Sequence, residues 1–239
     1  MTKLSVNVNK IALIRNSRGG NMPNLINVVA DIESYGAEGI TVHPRPDQRH
    51  IRYQDLYDLK PLLKTEFNVE GYPSDFFIKT VCEVKPAQVT LVPDPPEALT
   101  SNNGWDTKQN AKFLKEVIAR FKENGIRTSI FVNPDAEMVK YAKDTGTDRI
   151  ELYTESYAAN YELDREKAIQ PYYIAALAAV ENELGINAGH DLNLINLKYF
   201  QENIPQLLEV SIGHALVTDS LYYGLEKTIR YYLERLMRD

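Results

Sequence analysis

The chain has 239 residues, 27 Lys+Arg against 33 Asp+Glu, a formal net charge of −6, and 44% hydrophobic and 25% charged residues. That is the profile of a soluble globular protein, and the length suits one large α/β domain. The acidic balance argues against a nucleic-acid binder, which needs a basic face, but leaves phosphorylated substrates open, because a few local arginines decide that. The single cysteine, Cys82, cannot close an internal disulfide, so a reducing, cytoplasmic setting is expected, with Cys82 as buried packing. No signal-like or membrane-length apolar run is visible, and no membrane partner is expected.

Lys3 to Asn9 alternates as a strand does, and a loop carrying Arg15, Asn16, Arg18, Gly19 and Gly20 follows. Asn24 to Tyr35 has helical spacing and is closed by Gly36. Gly39 to Val42 is a second strand that stops at His43, because Pro44 and Pro46 cannot continue a ladder. Helix is expected over Tyr53–Phe67 with a break at Pro61, strand over Phe67–Gly71, and a Ser74-capped helix through Val84. Gln88 to Val92 is the fourth strand. A long loop over residues 93–106 reads as a functional lid. Helices over Thr107–Asn124, Pro134–Thr145, Asp164–Leu184 and Asn193–Phe200 then alternate with strands at Thr128–Val132, Asp148–Leu152, Ile186–His190 and Glu209–His214. A helix over Asp219–Arg238 closes the chain.

About eight strand–helix alternations without a linker predict a single-domain (β/α)8 TIM barrel over residues 1–239. A doubly wound sheet would need a glycine-rich phosphate loop after the first strand, where the sequence reads Asn7-Val8-Asn9-Lys10-Ile11.

Barrel enzymes work at the C-terminal ends of their strands. All four histidines fall there in this reading: His43 after the second strand, His50 in the next loop, His190 ending the seventh and His214 ending the eighth, none in a helix. Glu70 and Glu151 share the rim, and an uncompensated buried glutamate is costly. Arg45, Arg49 and His50 form one cationic cluster. The Gly189-His190 and Gly213-His214 loops form a second anion cradle, since glycine lets backbone amides approach closely. Two anion sites flanking acid–base groups suggest one bisphosphate or two monophosphates.

These residues carry a resemblance that runs through nearly the whole chain in order. Asn7-x-Asn9-Lys10-Ile11-Ala12, Arg15-Asn16-x-Arg18-Gly19, Gly39-Ile40-Thr41-Val42-His43-x-Arg45-x-Asp47-x-Arg49-His50-Ile51, Asn68-x-Glu70, Leu91-Val92-Pro93, Ile150-Glu151-x-x-Thr154, Asn187-Ala188-Gly189-His190 and Ile212-Gly213-His214-Ala215 resemble the pyridoxine 5′-phosphate synthase family. The resemblance implies a cofactor-free, metal-free barrel enzyme. It would condense 1-deoxy-D-xylulose 5-phosphate with 3-amino-2-oxopropyl phosphate into pyridoxine 5′-phosphate, phosphate and water. It implies that His43 and Glu70 accept protons, His190 donates one, and Glu151 stabilises a transition state. Asn7, Arg18, Gly213 and His214, helped by Asp191 after His190, would hold the aminoketone phosphate. Arg45, His50 and Thr100 would hold the deoxyxylulose phosphate. A homo-oligomer, an octamer of dimers, is implied as well.

Three departures stand out. Asn9-Lys10 replaces an Asp-His pair common in relatives at a sugar-phosphate contact, with Lys10 still expected to face substrate. Asp191 replaces a glycine, and its carboxylate would repel a phosphate unless turned away. Tyr153 and Glu155 replace a histidine and a glycine. Two other functions fit the bare residues: a metal-dependent sugar-phosphate isomerase or epimerase, with His43, Glu70, Glu151 and His190 around a divalent ion, and a non-catalytic phosphosugar-binding barrel.

Overall fold

Eight parallel strands close on themselves in sequence order, β1 through β8, each hydrogen-bonded to the next and β8 to β1. The computed structural model describes residues 1–94 and 103–237. The expected TIM barrel is therefore present. Its order is β1 Lys3–Asn7, α1 Asn9–Asn16, α2 Leu25–Ser34, β2 Gly39–Val42, α3 Tyr53–Leu59, β3 Glu66–Gly71, α4 Asp75–Val84 and β4 Gln88–Leu91. There follow α5 Ala111–Glu123, β5 Arg127–Val132, α6 Ala136–Asp144, β6 Arg149–Tyr153, α7 Glu155–Glu181, β7 Gly185–Gly189, α8 Leu197–Asn203, β8 Leu207–Ile212, α9 His214–Tyr223 and α10 Leu225–Leu236.

The apolar core is the layer between strands and helices. Leu4, Val6, Ile40, Val42, Val69, Val89, Ile130, Ile150, Ile186 and Val210 are all fully buried there. The alternate strand residues are polar. Ser5 Oγ meets Thr41 Oγ1 at 2.7 Å, Asn68 reaches Thr41 at 3.4 Å, and Thr90 donates to Asn68 at 3.1 Å. At the N-terminal end Glu66 accepts from Lys3 at 2.5 Å and also from Arg127, while Arg149 lies 3.8 Å from Glu209. Buried polar groups are costly unless partnered; these contacts satisfy part of the column, while Gln88 Nε2, Ser129 Oγ, Asn187 Nδ2 and Ser211 Oγ are buried without a protein partner among the described residues.

Several boundaries depart from the sequence reading. The segment after β1, expected as a loop, is the helix α1, whose buried face includes Ile11, Ala12 and Arg15. Helix α3 ends at Leu59 rather than reaching Phe67, two residues before Pro61, which has no N–H to continue the helical hydrogen bonds; Lys60 itself is still helical, at φ −48° and ψ −47°. The tyrosine-rich stretch is helical from Glu155. Asp164 (φ −162°) breaks α7 in two, and its carboxylate accepts from Lys167 N at 3.0 Å, as a helix cap does. Gly224, at φ +80°, splits the last helix into α9 and α10. His214 is the first residue of α9 and no longer belongs to a strand end, which corrects the reading that no histidine is helical. Cys82 packs against the core half-buried, and burial pushes its thiol up. Among the described residues no helix is long and apolar enough to cross a membrane.

Candidate active site at the C-terminal mouth

A cavity of about 600 Å³ opens at the C-terminal end of the barrel. It brings together Asn7, Asn9, Lys10, His43, Arg45, Arg49, His50, Glu70, Glu151, His190, Asp191, Gly213 and His214. These lie between positions 7 and 214 in sequence, and the strand ends converge them. Arg18 is exposed on the turn after α1, away from this lining. Thr100 and residues 95–102 of the expected lid lie outside the described residues. The returning end of that loop is anchored: Trp105 is buried, its indole donates to Leu91 O at 3.0 Å and its amide to Phe131 O at 2.9 Å.

His43 is held by its backbone, whose N–H donates to Asn9 Oδ1 at 2.9 Å. Its Nδ1 lies 3.8 Å from Glu70 Oε2, which also takes a long contact from Asn7 Nδ2 at 3.4 Å. Burial, and then the Arg45 charge, push the His43 imidazole well below its usual range. Burial, and then the neighbouring Glu151 carboxyl, push Glu70 well above the carboxylate range. Both shifts are toward the uncharged form, and at 3.8 Å the two groups make no direct hydrogen bond. Glu151 is pushed up to about 8 by burial and then by the Glu209 charge, against its hydrogen bond with Thr90.

The cationic side is more structured than expected. Arg45, almost wholly buried, donates to Asp94 Oδ2 at 2.8 Å on the loop after β4. His50 accepts from Ile51 N at 2.9 Å through Nδ1, which places its proton on Nε2. Burial, and then Arg45 and Arg49, lower His50 to about 4, so it is a neutral donor near neutrality. The His43 and His50 rings meet edgewise with centroids 6.3 Å apart. The loop carrying them is fastened by α1. Arg15 makes a bidentate pair with Asp55 at 2.7 and 2.9 Å and donates to His50 O at 3.1 Å. Asn16 donates to His50 O at 2.7 Å. Arg15, Asp55 and Asp94 were not singled out as site residues; only their burial exposes their role.

Across the mouth, Gly189 and Gly213 permit close backbone approach. A Cβ on Gly189 would lie 2.5 Å from Ser211 O and 3.1 Å from Glu151 Oε1, and one on Gly213 would lie 3.0 Å from Asn7 O. His214 opens α9, so the N-terminal amides of that helix face this side, where an anion is favoured. Asp191 lines the same cavity, with its Oδ2 2.7 Å from His190 Nδ1. Among the described residues no three or more of His, Cys, Asp and Glu form a group that could hold a metal ion.

Fold and mouth together define a (β/α)8 barrel whose C-terminal cavity gathers histidines, carboxylates and arginines. The chain belongs to the family described as pyridoxal phosphate biosynthesis protein PdxJ, whose sequence pattern matches residues 4–238. It is 63% identical over 232 residues to "Pyridoxine 5'-phosphate synthase" of Bacteroides fragilis (strain YCH46), covering 97% of this chain and 98% of that one. It is 62% identical over 236 residues to the protein of the same name from Christiangramia forsetii, covering 99% and 100%. Solved structures add the fold alone. Tryptophan synthase from M. tuberculosis superposes with a TM-score of 0.66 at 11% identity, covering 99% of this chain and 94% of that one. Phosphoribosyl anthranilate isomerase from Thermotoga maritima gives 0.61 at 11%, covering 99% and 98%.

Proposed function

We propose that this chain is a pyridoxine 5′-phosphate synthase that condenses 1-deoxy-D-xylulose 5-phosphate with 3-amino-2-oxopropyl phosphate, releasing phosphate and water. The observation that carries the reading is the placement of His43, Glu70, Glu151 and His190 in one cavity, with a cationic loop on one side and a glycine-lined helix start on the other. The names of the relatives point the same way. Each substrate brings one phosphate, and there is one cradle for each.

The chemistry is imine formation, dehydration, phosphate loss and aromatising deprotonation, all of it proton traffic. His43, neutral and next to Glu70, is the acceptor in the resting site. Glu70, kept protonated by burial, returns a proton where a hydroxyl or phosphate leaves and then accepts one in the next step. Glu151, also proton-bearing near neutrality, donates a hydrogen bond to oxygen charge developing deeper in the cavity. His190 protonates a leaving oxygen. Lys10, Arg45, Arg49 and His50 face the deoxyxylulose phosphate together with Thr100. Asn7, Gly213 and His214 hold the aminoketone phosphate; Arg18, exposed and outside the cavity lining, is not among its holders in this chain. Residues 93–106 act as the lid that excludes water.

The proposal includes assembly as a homo-oligomer built of dimers, in keeping with exposed Leu13, Ile14, Leu221 and Tyr222 on α1 and α9; sedimentation of the purified chain at one-subunit mass would overturn that part. The function itself is tested by mixing the two substrates with the chelator-treated protein and following pyridoxine phosphate absorbance. Product formation is expected. Binding without product would leave only a phosphosugar-binding barrel, and activity restored solely by a divalent ion would favour the metal-dependent reading.

A further inference from the structure

His190 sits where side chains other than glycine are uncommon: its φ is +75°. Such a conformation persists only when its surroundings over-determine it, and here they do. Its own N–H donates to Ser211 O at 3.2 Å. The Thr154 hydroxyl donates to Gly189 O and accepts from Asp191 N at 3.2 Å, bridging the residues on either side of the histidine. Tyr153 places its ring edgewise against the imidazole, centroids 5.3 Å apart. Asp191 Oδ2 lies 2.7 Å from Nδ1. The backbone is thus pinned by β6 and β8, the ring plane by Tyr153, and one ring nitrogen by a carboxylate.

We infer that Asp191 is a positioning residue for His190: its carboxylate fixes the Nδ1–H tautomer, so that Nε2 is the nitrogen that takes up a proton released in an earlier deprotonation and, from the imidazolium, returns it to the leaving oxygen. An ionised carboxylate only accepts hydrogen bonds, so a neutral imidazole in this contact must carry its proton on Nδ1. A partner of this kind sets both tautomer and ring orientation. The Asp191 carboxylate therefore acts through His190. This also accounts for a carboxylate being tolerated beside an anion cradle: its charge is engaged by the ring.

The kinetic consequence rests on His190 being the acid of the proposed function; the tautomer does not, and is read without substrate. Long-range ¹H–¹⁵N correlation spectra of the ¹⁵N-labelled wild-type protein, at a pH where the ring is neutral, should show the His190 signals in the Nδ1–H pattern, with His190→Gln assigning them. Asp191→Ala should move them toward the Nε2–H pattern. An Nε2–H pattern in the wild type, or a pattern unmoved by Asp191→Ala, overturns the inference. In turnover assays Asp191→Ala should lower kcat by roughly 10–100-fold, as loss of an imidazole's partner does, with little change in KM for either substrate. A raised KM at unchanged kcat would place Asp191 on the substrate and overturn the inference. Should the variant not fold, the wild-type spectrum alone decides.

Discussion

Glu70 Oε2 stands 3.8 Å from His43 Nδ1, beyond hydrogen-bond reach, and burial shifts the two groups in opposite directions, each toward its uncharged form. A charged pair at this depth would be locked together by its own attraction. A neutral pair leaves the imidazole lone pair and the carboxyl proton available to whatever enters between them.

Glu70→Gln keeps the shape and the Asn7 contact but removes the exchangeable proton. Turnover measured by product absorbance should fall by roughly 10²–10⁴-fold, while thermal melting at pH 7 stays at or above that of the wild type, because the unfolded chain no longer gains by ionising a carboxyl that burial holds back in the fold. Near-normal turnover would refute the role given to Glu70.

Glu151 carries a pH signature. Its carboxyl is raised from 4.5 to about 8 in the folded state, so between those values the folded chain holds a proton that the unfolded chain has lost. Its contribution to stability is complete below pH 4.5 and drains away as pH rises through 8. Glu151→Gln should remove that slope. Urea midpoints of variant and wild type should diverge in the variant's favour from about pH 5, level off above 8, and differ there by up to a few kcal/mol. Parallel curves would contradict the shift.

The Arg15–Asp55 pair ties α1 to α3, with both side chains nearly buried. Asp55→Ala strands a guanidinium and should cost about 3–5 kcal/mol, seen as a lower urea midpoint. It should also loosen residues 48–50, seen as faster amide exchange at His50 and Ile51. An unchanged midpoint would mean that water replaces Asp55 at little cost.

Asn9→Ala removes the acceptor that holds the His43 amide at 2.9 Å. The loss of one such bond costs about 1–3 kcal/mol where the donor stays buried. Here it should appear mainly in kcat, since His43 alone is displaced. Steady-state kinetics showing a KM effect only would instead place Asn9 on the sugar phosphate.

Much of the mouth was legible because parallel strands announce their own ends: Pro44 stops β2 at His43, and a glutamate closing an apolar strand, as at Glu70, has few structural uses. What escaped was whatever depends on partners distant in sequence. Helix α1 went unread because Ile11-Ala12-Leu13-Ile14 is a continuous apolar run without helical period, and its meaning comes from Arg15 meeting Asp55, 40 positions away. Arg45 read as a cation for an anionic ligand, and its Asp94 contact, 49 positions on, is set by the barrel's closure. His214 read as a strand tip because Gly213 hides the turn into α9.

Burial raises Glu70, Glu151 and Glu209 together, with Glu151 and Glu209 adding to the shift of Glu70 and Glu209 to that of Glu151. Their protons are accordingly held in common: removing one makes the next harder to remove. A titration followed at any single member should be broader than a one-site curve, and the mouth keeps a shared reserve of protons that successive bond-breaking steps can draw down and refill without any one carboxyl having to bear a full charge alone.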